Sequence, residues 1–292
     1  MVSPLQATPT SMEKGPVMPE LPELEILRGN LDKELNGKKM KSAEVLLPSI
    51  VKRNTNKRLF SSRLDGVKFG GTTRQGSWLI TAMDSGELLV FALGDKALLR
   101  RTQNKDAVAK GTALTLTFTQ HGQLRVIDPA KKSEVFVVTP EELPDIVGHP
   151  GIDLVAEPIS WTTFGERLLR QKGRLKSILM DPTFLVGVGP IYSDEVLFEA
   201  GLRYDREPST MSTQEIRRLF RSTVEIIHDA LKYNGTSLGE DGFVDVFGKK
   251  GTYQNELAVY QKEGEMSPRA RGPVVKTRFG SGYTYYCEQT QM

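Results

Sequence analysis

One change of hydrophobic period, near Pro140, limits what this chain can fold into. Between Met40 and Val138 the apolar residues come in short runs (SWLITAM, ELLVFAL, ALTLTFT, QLRVID, EVFVV), split by turn signals such as Asp84-Ser85-Gly86 and Gln120-His121-Gly122. β-Branched and aromatic residues in such runs suit a pleated, half-buried surface, so this half reads as a β-sandwich or barrel. Beyond Pro140 the spacing becomes helical. Ser160 can cap a helix carrying Trp161, Phe164, Leu168 and Leu169. Ser212 with Glu215 makes a capping box ahead of Ile216, Leu219, Phe220, Ile227 and Leu231, and Asn234-Gly235 stops that helix. Pro144, Pro150 and Gly151 mark a hinge between the two halves.

Three further elements frame this division. Leu24, Leu27, Leu31 and Leu35, with Ile26 beside them, predict one early helix over 23–35, entered after Pro19 and Pro22. LVGVGPIY at 185–192 is a glycine-rich turn feeding a helix that closes at Gly201. VVKTRFGSGYTYYC has two alternating arms around Gly280-Ser281-Gly282, a hairpin signature. The expected fold class is α+β and multidomain: a sandwich with one helix over 18–145, a hinge over 146–155, a helical domain over 156–250 and a β-hairpin unit over 251–292.

At 292 residues the chain is long enough for two cores, and 38% hydrophobic content fits a globular protein. Its net charge of +3 says little about partners, but the distribution says more. From Lys52 to Arg74 seven basic residues face the single acid Asp65, and from Lys249 to Arg278 seven face three. The single cysteine, Cys287, excludes an internal disulfide and cannot by itself assemble a zinc site, so a reducing compartment is expected. No apolar run approaches the length of a membrane span. Residues 1–17 read as a disordered tail or as a mis-assigned start, because Glu13-Lys14-Gly15 require the purine-rich codons of a bacterial ribosome-binding site just before Met18.

Three stretches, MPELPELE at 18–25, GRLKSILMDPTFLVGVGPIYSDEVLFEAG at 173–201 and YQNELAVYQKEGE at 253–265, resemble the formamidopyrimidine-DNA glycosylase and Nei family of base-excision-repair enzymes. The resemblance runs from Met18 to Tyr286. It implies an N-terminal β-sandwich, a helix-two-turn-helix domain and a C-terminal finger, with double-stranded DNA, damaged or abasic, bound between the domains as partner. It also implies a monomer with no cofactor, placed in the cytoplasm at the nucleoid if bacterial and in the nucleus if eukaryotic. The family's nucleophile is an N-terminal proline that forms a Schiff base with deoxyribose, after which β-elimination cuts the strand. That role falls on Pro19, with Glu20 as the assisting carboxylate, only if Pro19 is the chain terminus, because inside a peptide bond its nitrogen is an amide. A structural role is open to both residues at the start of a helix.

The same resemblance marks Lys176, Arg174, Gly187, Gly189 and Tyr192 as DNA-binding positions, with Lys131 and Lys132 beside them and Arg278 as a substitute for a finger arginine. Departures cluster at the positions that would face DNA. Ser77 replaces a phosphate-binding lysine, and Pro190 replaces an asparagine. The segments that would fill the gap left by an extruded base read Phe91-Ala-Leu-Gly-Asp95 and Asp128-Pro-Ala-Lys-Lys132, neither with an apolar wedge. GEMSPRARG stands where the first metal-binding cysteine pair belongs, so the finger is expected to be zincless with no metal. These departures favour a DNA-binding family member whose glycosylase and lyase chemistry is weak or lost. An active bifunctional glycosylase using Pro19 and an adaptor that binds protein partners are the alternatives.

Overall fold

A computed structural model of the protein describes residues 18–54, 56–120, 122–148, 150–240 and 242–292. The expectation for residues 1–17 lies outside the described residues. The elements, in order, are α1 (Leu21–Leu35), β1 (Met40–Val45), α2 (Lys57–Arg63), β2 (Phe69–Gln75), β3 (Trp78–Met83), β4 (Leu88–Ala92), β5 (Leu98–Thr102), β6 (Thr112–Phe118), β7 (Gln123–Ile127) and β8 (Glu134–Val138). There follow α3 (Leu143–Val147), α4 (Trp161–Leu169), α5 (Leu175–Leu179), α6 (Pro190–Ala200), α7 (Thr213–Lys232), β9 (Val275–Phe279) and β10 (Gly282–Tyr286). Two antiparallel four-stranded sheets, ordered β1-β6-β7-β5 and β2-β3-β4-β8, form the sandwich. Its core holds Phe60, Phe69, Phe91, Leu114 and Phe118, all at or below 1% exposure.

The helix caps reflect the local chemistry of the sequence. Ser160 accepts a bond from the Thr163 amide, and Ser212 and Glu215 form their reciprocal box. Gly201 closes α6 in the left-handed region at φ +64°, where a side chain would be strained. The helix α2 was not expected within the β-rich half. Its seven residues bury only Phe60, too few to show a period, and its start is fixed by Asn56 accepting from the Leu59 amide.

The two cores are sewn together along the chain. Leu27, Leu31 and Leu35 of α1 sit in the sandwich core, whereas Leu21, at the other end of the same helix, sits in the helical core. Residues 242–250, expected in the helical domain, fold back onto the sandwich. Phe243 and Val246 join its core, the Arg101 amide bonds the Val246 carbonyl at 2.8 Å, and the Val246 amide reaches Asn30 Oδ1 at 3.2 Å. Apolar burial outranks the domain boundary that composition suggests. No helix among the described residues is long and apolar enough to cross a membrane.

Arg74 of β2 ties α1 to the segment that links the two halves. Its side chain is 2% exposed and reaches Glu25 of α1 at 3.0 Å, Asp153 at 2.6 and 3.0 Å and the Gly76 carbonyl at 3.0 Å. Burial would raise the Asp153 carboxyl, but the hydrogen bonds and charge of Arg74 outweigh it and hold the group below its usual value. Removing the guanidinium leaves Asp153 without its cation, while Glu25 keeps Arg28, so Arg74→Met should cost about 3 kcal/mol in chemical denaturation. Because the Asp153 value is lowered on folding, its stabilising share is present above pH ~4 and is lost as the pH falls further. Arg74→Met should remove that acid-side slope.

Candidate active site at the domain seam

The site is built where the first residues of the sandwich domain meet the first turn of α6. Glu20 is 6% exposed, and its carboxylate points across the seam. Oε2 accepts from the Gly189 amide at 2.6 Å and the Tyr192 amide at 3.3 Å, and Oε1 accepts from the Ile191 amide at 2.9 Å. Orphan amides at the first turn of a helix need acceptor oxygens, and here the chain supplies its own carboxyl. Pro190, at the first helical position, has no amide to satisfy, so its presence costs this arrangement nothing. The Leu21 amide bonds the Gly187 carbonyl at 2.6 Å, which completes the docking.

Glu23 extends the network one turn further. It is 3% exposed, accepts from the Tyr192 hydroxyl at 2.6 Å and the Thr236 amide at 2.8 Å, and returns to the Glu20 amide at 3.1 Å. Burial, then the neighbouring Glu23 charge, pushes the Glu20 carboxyl up to about 8 against the pull of the three amides. Burial raises Glu23 as well, and burial joined by the Glu23 charge lifts the Tyr192 phenol well above its usual value. Beside this pair opens a cleft of about 360 Å³, including the part open to solvent, lined by Pro19, Glu23, Lys96, Ile191, Thr236 and Phe243 among others. Pro19, one acid, Glu23, and one lysine therefore line a shared space, with Glu20 behind it on the α6 amides. That combination can host amine chemistry on a carbonyl together with proton transfer.

Five of the residues singled out in the sequence, Pro19, Glu20, Gly187, Gly189 and Tyr192, meet here. The glycines are explained by close approach: a Cβ on Gly189 would lie 2.6 Å from Glu20 Cδ, and one on Gly187, at φ +65°, would lie 2.9 Å from Leu21 Cβ. Their expected role as an open phosphate cradle is corrected, because the α6 amides that would face a phosphate end on Glu20. Lys176, expected at phosphate, is also corrected. It is 1% exposed, with Nζ 2.5 Å from Asp194 Oδ1. Arg174, Lys131 and Arg278 are exposed and lie outside the cleft lining. Lys132 reaches across to Asp95 at 2.5 Å, so the two segments that lack an apolar wedge are ion-paired to each other. The first basic cluster is largely neutralised: Lys52 and Arg53 pair with Glu134, Arg63 with Glu87, and Arg74 with Glu25 and Asp153.

Glu23, Lys96, Thr236 and Phe243 were missed by the sequence reading. Only Glu23 left a signal there, as the acid three residues after Glu20 in MPELPELE. The others come to the cleft through long-range packing.

The finger is held from the same domain. Asp194, paired with Lys176, also accepts from Thr284 Oγ1 at 2.5 Å and the Tyr285 amide at 3.0 Å, so one buried carboxylate binds α5, α6 and β10 together. Glu195 accepts from the amides of Ala258, Val259 and Tyr260 at 2.7–3.0 Å and so orders the approach to the hairpin. The donor set does not fit zinc. Cys287 is the chain's one thiol and is buried, and no group of three His, Cys, Asp or Glu among the described residues could hold a metal.

Both carboxylate sockets can be tested by substitution. Gly189→Ala should cost about 1–3 kcal/mol in urea denaturation, because the methyl must push Glu20 off the α6 amides. Lys176→Met should cost about 3–5 kcal/mol and expose the hairpin to limited proteolysis, while adding Asp194→Leu should recover only part of the loss, because it removes the stranded charge but leaves Thr284 Oγ1 and the Tyr285 amide without an acceptor.

Residues 18–135 match the formamidopyrimidine-DNA glycosylase N-terminal domain, and residues 151–241 match the H2TH domain of the same enzymes. The chain is 30% identical over 276 residues to a formamidopyrimidine-DNA glycosylase of Pelotomaculum thermopropionicum, covering 94% of this chain and 99% of the relative. It is 30% identical over 285 residues to the Geobacillus kaustophilus protein of the same name, covering 94% and 100%. Among solved structures it is similar to Lactococcus lactis Fpg in complex with DNA containing an abasic site, with a TM-score of 0.86, 29% identity and coverage of 94% of this chain and 99% of that one. A Lactococcus lactis Fpg complex with FAPY-dG-containing DNA gives a TM-score of 0.83 at 28% identity, covering 94% and 100%. With both domains matched and relatives covered end to end, the chain belongs to the formamidopyrimidine-DNA glycosylase family.

Proposed function

We propose that the protein binds double-stranded DNA, damaged or abasic, across the seam between its domains, and that its base-removal chemistry is weak or lost. The observation that carries this reading is the Asp95–Lys132 pair. Holding a base out of a duplex calls for an apolar side chain in the vacated stack, and a charged pair resists that desolvation. Lys132 and Asp95 are bound to each other across the very segments that would carry such a wedge. Exposed Arg174, Lys131 and Arg278 supply charge for phosphate contacts, which fix position without reading sequence. The solved Lactococcus lactis relatives hold DNA of the damaged and abasic kind.

A second reading is favoured by the cleft itself: an active bifunctional glycosylase and lyase whose nucleophile is Pro19, released by a start at Met18 and subsequent Met removal. Pro19 lines the cleft, and Glu20 lies next to it in the chain with a carboxyl that titrates near 8. Such a group keeps its proton at neutral pH and can deliver it to a sugar oxygen during ring opening.

Three measurements test these readings. Duplex affinity measured by fluorescence anisotropy should fall steeply with salt, and Arg174→Ala and Arg278→Ala should each lower the salt slope by about 1. An affinity that does not change between low and physiological salt would overturn the DNA-binding reading. Base release from formamidopyrimidine-containing duplex, measured with protein beginning at Pro19, should be near background, and efficient release would favour the second reading. If that form is active, its rate should fall as the pH rises through about 8, where Glu20 loses its proton.

A further inference from the structure

The hairpin of β9 and β10 has two unlike faces, and its register sorts them. Thr277 lies opposite Thr284, Phe279 opposite Gly282 and Val275 opposite Tyr286, and residues directly opposite in an antiparallel pair share a face. This face is the inner one. Thr284 Oγ1 donates to Asp194, and the rings of Phe279 and Tyr286 lie 5.8 and 5.1 Å from that of Tyr204. The outer face carries Lys276 and Arg278 on β9 with Tyr285 and Tyr283 opposite them on β10. Tyr285 is covered by Tyr260, whose ring lies 5.2 Å away. Tyr283, beside the tip, meets no other ring among the described residues and is 43% exposed.

A single exposed ring needs no explanation by itself, but its setting here does. Lys276 Nζ stands 4.1 Å from the centre of the Tyr283 ring and also pairs with Glu263 at 3.8 Å, so it holds the ring more than it charges the surface. Arg278, directly across the strands from Tyr283, is exposed, and no acid among the described residues pairs with it. An open π face beside an uncommitted guanidinium matches a nucleotide, which offers a base to stack and a phosphate to bind. We propose, resting on the reading of this chain as a DNA-binding protein, that Tyr283 stacks on a nucleobase that has lost a stacking neighbour, as the bases beside an abasic site have, with Arg278 on the adjoining phosphate.

In an intact duplex every internal base is stacked on both faces, and a ring enters only by prying a step apart. At an abasic site that space is already vacant. Tyr283 therefore tells interrupted duplex from intact duplex without reading sequence, because every base has a π face. The sandwich offers no side chain for this task, since Asp95 and Lys132 are bound to each other on the segments that would carry a wedge. The finger can offer one because it is firmly set. Thr284, next to Tyr283 in the chain, and the Tyr285 amide are both held by Asp194 of α6, the helix whose first turn receives Glu20. The ring is thus mounted on the same helix as the cleft, and little order remains to be imposed when DNA binds.

The test uses the whole 292-residue chain and two duplexes of one sequence, one intact and one carrying a tetrahydrofuran residue in place of a nucleoside. Fluorescence anisotropy reads the ratio of the two affinities. The wild-type chain should prefer the tetrahydrofuran duplex, and Tyr283→Ser should reduce that preference about tenfold while melting like the wild type. Tyr283→Trp should keep it, because the larger ring stacks as well. Arg278→Ala should weaken binding to both duplexes alike and leave the ratio unchanged. With iodouracil placed next to the tetrahydrofuran residue, near-ultraviolet irradiation should join the wild-type chain to the DNA at residue 283. Full preference in Tyr283→Ser, lost preference in Tyr283→Trp, or a crosslink mapped outside the hairpin would each overturn the assignment. A wild-type chain that binds the two duplexes equally would also overturn it and leave DNA binding standing. Failure to bind either duplex would instead overturn the DNA-binding reading, and this inference with it.

Discussion

A buried carboxyl needs donors, and the first turn of a helix needs acceptors. In this protein each requirement is met by the other, across a domain boundary. Glu20 stands at the entry to α1, and α1 carries residues of both cores, so the three amides of α6 that grip Glu20 also fix how the sandwich meets the helical domain. The glycines at 187 and 189 are tied to the same contact, because any side chain there would fill the space that Glu20 and Leu21 occupy. Tyr192, one helical position beyond Ile191, closes the arrangement by passing its hydroxyl to Glu23. A motif that reads in sequence as a phosphate turn is, in the fold, a socket for the chain's own N-terminal segment.

How much of this could be read beforehand depended on whether the cause was local. The period change near Pro140, the serine caps at 160 and 212, the stop at Asn234-Gly235 and the Gly280-Ser281 hairpin are properties of a few neighbouring residues, and each element formed where those residues placed it. The helix α2 was hidden because seven residues with one buried ring carry no usable period. The return of 242–250 to the sandwich was hidden for a different reason. Phe243 and Val246 look like any apolar residues in a loop until a core more than a hundred residues away receives them.

The candidate site shows the same division. Pro19 and Glu20 were legible because they sit together in an unusual octapeptide, and the glycines because their spacing is distinctive. Lys176 was placed on the surface by analogy, yet its charge is spent inside on Asp194. A lysine in a polar-looking segment gives no sign of which way its four-carbon stem will turn. The basic run from Lys52 to Arg74 misled in a related way, since its acids, Glu25, Glu87, Glu134 and Asp153, come from elsewhere in the chain. Charge counted along a sequence is not charge presented to a partner.

Anchoring the hairpin finger by one carboxylate and one ammonium changes what can undo it. A finger clamped by thiolates is open to peroxide and to chelators, because both attack the sulfur-to-metal bonds that keep it folded. Here Asp194, Lys176 and Thr284 do the clamping, and the one thiol in the chain, Cys287, is sealed at 0% exposure in an apolar cluster with Phe198, Val259, Val274 and Tyr285. The hairpin can therefore keep its shape under the oxidising conditions that damage DNA, in a cell short of zinc as readily as in one replete with it.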